Sequence, residues 1–69
     1  MKNRQAWIDE AQMEIEGLQA AGIEVTREAV EEELRQNYLD QDIKEVIDAE
    51  GGIEEYLDTL WSYIEKEMQ

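Results

Sequence analysis

Apolar side chains recur along this chain every three or four residues, the spacing of one face of an α-helix. Trp7, Ile8, Ala11, Ile15 and Leu18 share an arc of roughly 100°, which predicts a first helix over about 3–21. Gly22 follows Ala20 and Ala21 and suits the left-handed position that ends such a helix. Gly17 sits inside it at a cost of about 1 kcal/mol relative to alanine. It marks either a close approach by another element or a tolerated defect.

Thr26 is the expected N-cap of a second helix over 27–39, because its hydroxyl can accept from an otherwise orphaned amide. Val25 before it and Val30 after it occupy the two positions of a hydrophobic staple. Val30, Leu34 and Tyr38 then form a narrow stripe. The phase breaks near Asn37–Asp42, where Leu39 aligns instead with Ile43, Val46 and Ile47. A short third helix over 42–50 follows, opened by a capping box of Asp42 and Glu45 with Asp40 as the rival cap, and ended by Gly51-Gly52. A single bent helix across 27–50 is the alternative. The last helix, 53–68, carries Ile53, Leu57, Leu60, Trp61, Ile64 and Met68, with Tyr56 and Tyr63 alongside. Its apolar arc of about 160° is wider than a surface helix needs. No segment alternates like a strand. The expected fold is all-α, a compact bundle of three to four short helices forming a single small domain over 1–69.

Composition narrows the chemistry. Nineteen Asp and Glu face six Lys and Arg, for a net charge of −13, and the chain has no His, Cys, Pro or Phe. Without cysteine there is no disulfide framework or thiolate zinc site. Without histidine the usual general base and commonest metal ligand are missing. Asp40-Gln41-Asp42 opens like a calcium loop, but Lys44, Glu45 and Gly51 fall where that motif requires an acid, a glycine and a glutamate. Thr26, Thr59, Ser62 and the tyrosines have no imidazole to activate them. Pairs such as Glu10/Glu14 and Glu50/Glu54 are what any acidic helix shows at i, i+4. The expectation is therefore no enzyme, no metal and no cofactor.

The same charge repels phosphate and anionic lipid, so no direct nucleic-acid or membrane binding is expected. No apolar run reaches the roughly 20 residues of a membrane span. Acids interrupt the N-terminal MKNRQAWIDEAQ before an apolar signal core forms, so the location expected is cytoplasmic. A helix-turn-helix reading of the middle segments fails for a similar reason: Asp42, Glu45, Asp48 and Glu50 outweigh Lys44 on the element that would face phosphate.

Two readings of the charge remain. The acids either keep the molecule soluble or address a strongly basic surface. Carboxylates at i and i+4 lie about 5–6 Å apart, close enough to approximate a row of phosphates on a nucleic-acid-handling protein. The partner-binding residues expected are Glu28, Glu31, Glu32, Asp42, Glu45, Glu54, Glu55 and Asp58, with Tyr56 or Trp61 as aromatic anchors. In size and composition the chain is similar to the small acidic helical inhibitors that phages direct at restriction, CRISPR or transcription machinery. The competing expectation is a homodimer held by the last helix, its acids serving solubility alone.

Overall fold

The computed structural model describes residues 2–69; of the expected 1–69 domain, Met1 lies outside the described residues. Four helices follow one another without a strand among the described residues: α1 (Arg4–Ala20), α2 (Arg27–Asn37), α3 (Gln41–Ala49) and α4 (Ile53–Glu67). The all-α reading holds, and α2 and α3 are separate helices, not one bent rod. No helix is long and apolar enough to cross a membrane.

The helix ends follow from their capping residues. Asn3 accepts from the Ala6 amide at 2.8 Å and Thr26 from the Ala29 amide at 3.1 Å. Val25 and Val30 both pack with the core, as a staple requires. Gly22, at φ +73°, closes α1: its amide reaches the Gln19 carbonyl at 3.0 Å, and the Ile23 amide reaches that of Leu18 at 2.9 Å. Gly51, at φ +100°, closes α3 with the same pair of bonds, to Asp48 and Ile47. One cap differs from expectation. Asp40, not Asp42, opens α3 by accepting from the Asp42 amide at 2.9 Å. An acid two residues before an amide makes that bond with the backbone extended, the conformation Asp40 adopts.

Helix α4 is the hub. The substantial helix–helix contacts are α1 with α4, then α2 with α4, then α3 with α4. Tyr56, Leu57, Leu60 and Ile64 of α4 are buried against Trp7, Ala11 and Leu18 of α1, Val30 and Leu34 of α2, and Ile47 of α3. Trp7 is the aromatic centre, 4.8 Å from the Tyr56 ring and stacked on Tyr63 at 6.1 Å. No charged or polar residue is buried among the described residues.

The stripe expected from Leu39 to Ile47 divides. Only Ile47 goes inside; Ile43 and Val46 remain partly exposed, and Leu39 is 88% exposed. The break between α2 and α3 turns Leu39 outward, and α3 meets the bundle along one edge.

Nothing lies within 4 Å of a Cβ added at exposed Gly17, so no element approaches there. Gly17→Ala is expected to raise stability by about 0.5–1 kcal/mol, because alanine restricts the unfolded chain and fits the helix. Gly22→Ala, forced to the left-handed conformation, is expected to lower it by about 1–2 kcal/mol. Urea midpoints of the two variants, moving in opposite directions, check both.

Candidate functional site

The expected acids lie on the outer faces of three helices. Glu28 and Glu32 are exposed on α2, and Glu31 pairs with Arg35 at 2.9 Å. With Arg35, Gln36 and Leu39 these three line a shallow depression of about 430 Å³ whose lining comes entirely from residues 28–39. It is the outer face of one helix, with no second element to wall it. Asp58, exposed on α4, pairs with Arg27 at the start of α2. Glu54 and Glu55 stand in the first turn of α4, which Gly52 opens without a side-chain cap. Their charge there offsets the positive end of the helix dipole. Glu45 is exposed on α3.

The two aromatic anchors fare differently. Tyr56 is 2% exposed, so it is a core residue and offers no ring to a partner. Trp61 is partly buried, packed against the same core. The wide face of α4 is covered by the other helices, because those helices are short and need it.

A second hollow is built from several elements. Glu10 and Glu14 of α1, Leu34 and Asn37 of α2, Asp42, Ile43, Val46 and Ile47 of α3, and Tyr56 of α4 enclose a groove of about 310 Å³. Its α3 side is apolar and open. Its α1 side is carboxylate. Asp42 is the one residue of the expected set that lines it by an exposed charge.

Glu14 is the unusual group in this wall. One of its oxygens, Oε1, is covered and has no hydrogen-bond partner among the described residues. Burial first, then the charges of Glu33 and Glu10 and a hydrogen bond with Glu33, push its pKa from 4.5 up to about 7. Among the described residues no ion pair joins it to a base. Glu10 differs, because Lys2 reaches it: the Lys2 ammonium donates to Glu10 and to the Tyr56 hydroxyl, both at 2.5 Å, while Tyr56 donates to Glu10. The Lys2 backbone amide donates to Glu50 at 2.5 Å, tying the N-terminus to the end of α3. Burial and the bond to Glu10 push the Tyr56 phenol well above its ordinary range.

Sequence reasoning missed Glu10, Glu14 and Lys2 as site residues. The signal for Glu14 was present: it lies three residues after Ala11 and four before Leu18, on the stripe α1 buries. Nothing local marks Lys2, whose partners are distant in sequence.

Among the described residues no group of three or more Asp and Glu could hold a metal ion. Asp40, the first residue of the calcium-loop reading, instead caps α3. Searches against known protein families, curated proteins and solved structures find no match for this chain.

Glu14 gives a pH dependence of defined sign. Its proton is held more tightly in the folded than in the unfolded chain, so its contribution to stability is complete below about pH 4.5 and is lost as pH rises through about 7. The urea midpoint is expected to fall between pH 5 and pH 8. In Glu14→Gln that fall is expected to be smaller, with the variant more stable than wild type at pH 8. Parallel midpoint–pH curves for the two proteins would show that Glu14 contributes nothing.

Proposed function

We propose that the chain is a non-enzymatic, cytoplasmic binding module, an inhibitor or regulator that docks its acidic helices on a basic, nucleic-acid-handling protein. The observation that supports this reading is the separation of charge from core. Among the described residues no charged residue is buried, while sixteen of the nineteen acids are carried by the four short helices. Such acids keep fixed spacings along each helix, about 5–6 Å at i, i+4, and can occupy a groove shaped for phosphates. Glu28, Glu31 and Glu32 stand together on the outer face of α2, with Glu31 paired to Arg35, and Arg27 links α2 to Asp58 of α4.

Catalysis has weaker support. A carboxyl with a pKa near 7 in a groove is what a general acid would show. Burial and two neighbouring acids account for that value in Glu14 without a reaction. No serine, threonine, cysteine or histidine lines the groove to act as nucleophile or base.

Dimerisation through the last helix is also less well supported. The apolar face of α4 packs inside its own chain, with Tyr56, Leu57, Leu60 and Ile64 buried. Two such molecules would also bring together two charges of −13.

Protamine, an arginine-rich packer of DNA, is a suitable probe. The chain is expected to displace duplex DNA from protamine. Its association rate should fall about tenfold or more between low salt and 0.3 M, as steered encounters do. The triple variant Glu28→Gln, Glu31→Gln, Glu32→Gln should associate more slowly at low salt and lose part of that dependence. Rates flat with salt, or DNA left undisturbed on protamine, would overturn the reading. A concentration-dependent dimer in sedimentation would favour self-association instead.

A further inference from the structure

The groove between α1 and α3 combines two features that a solubilising surface does not need. Ile43 and Val46, at i and i+3 on α3, are 38% and 46% exposed, although α3 sits against a bundle with an apolar core. The same groove is lined by Glu10 and Glu14 of α1 and by Asp42, the neighbour of Ile43 in the chain. The apolar strip calls for a partner that brings hydrocarbon. The acids call for one that brings positive charge.

Resting on the reading of the chain as an acidic docking module, we propose that this groove is its anchoring site and takes a basic amphipathic helix of the target protein. The apolar face of that helix packs on Ile43 and Val46, and one lysine or arginine reaches the carboxylates of Glu14 and Asp42. A helix-in-groove contact reads as apolar anchors three and four residues apart, the spacing that Ile43 and Val46 present from their side. Nine residues of α3 span about 13 Å, which accommodates roughly two turns of a partner helix.

Charge complementarity selects this occupant over a second copy. The groove is lined by Glu10 and Glu14 from α1, Asp42 from α3 and Tyr56 from α4, and Glu33 of α2 lies beside Glu14. The nearby cation, Lys2, is already engaged by Glu10 and Tyr56. A copy of this chain would add acids to acids. Lys2 also shows the kind of seat available nearby: its ammonium lies 4.7 Å from the Trp7 ring centroid and 4.9 Å from that of Tyr56, with a carboxylate beside it.

The test uses two synthetic peptides of identical leucine and lysine content, one patterned as an amphipathic helix and one scrambled. Wild-type chain is expected to bind the patterned peptide at least tenfold more tightly, with backbone amide shifts concentrated at residues 10–14 and 42–47. Ile43→Ser with Val46→Ser, both at partly exposed positions, should erase that preference while leaving the salt-dependent binding of the scrambled peptide. Glu14→Gln with Asp42→Asn should weaken the patterned peptide about tenfold, and Glu65→Gln at the far end of α4 should not. Equal affinity of wild type for both peptides would overturn the groove and leave the acidic reading standing. Shifts centred on residues 28–36 would do the same. Binding of neither peptide would overturn both.

Discussion

A chain of 69 residues has enough apolar surface for one shared contact, and the face of α4 supplies it. Tyr56, Leu57, Leu60 and Ile64 give every other helix something to pack on. Each such buried side chain contributes about 1.5–3 kcal/mol, against an ordering cost of roughly 1–2 kcal/mol for every residue of backbone. α1 takes the largest part of the face and α2 the next. What remains holds α3 chiefly by Ile47. The exposed residues of α3 are a consequence of that order: with α4 occupied, Ile43 and Val46 have no further surface to cover.

Charge is arranged under the same scarcity. Six bases cannot neutralise nineteen acids, so their positions show where attraction is used. Each of the three lysines lies over an aromatic ring: Lys2 over Trp7 and Tyr56, Lys44 over Tyr38, Lys66 over Tyr63. Lys2 and Arg27 also bridge separate elements, Lys2 between α1 and α4 and Arg27 between α2 and α4. The exposed Arg27–Asp58 pair is worth about 0–1 kcal/mol, so it selects an arrangement more than it stabilises it. Glu14, half-buried beside Glu10 and Glu33, has its pKa pushed up to about 7.

The helices were legible because their signals are local. Thr26 with Val25 and Val30, and glycines at 22 and 51, fix ends through bonds a few residues long. Asp40 and Asp42 could not be ranked as caps from spacing alone, since the choice depends on where the chain leaves α2. Tyr56 looked like surplus aromatic surface because a count of apolar area treats all helices as equal coverers. It is buried because Trp7 of α1 and Lys2, just before that helix, close over it from 49 and 54 positions earlier in the chain. The acidic faces could be read directly. The groove could not, because it needs α4 to bring residues of α1, α2 and α3 around one hollow. Even so, Glu14 stood on the inward stripe of α1, and an acid at such a position signals either a hidden partner or a raised pKa.

The groove and the surplus charge are better explained together than apart. Glu14 and Asp42 line the same hollow as Ile43 and Val46, which α4 does not cover. Within the Debye length of about 8 Å at physiological salt, that placement repels another copy of the chain and any acidic surface, while leaving the strip open to a cationic one. In the proposed complex, negative charge would act twice around the groove: it opposes approach of another copy of the chain, and it favours a partner that brings positive charge.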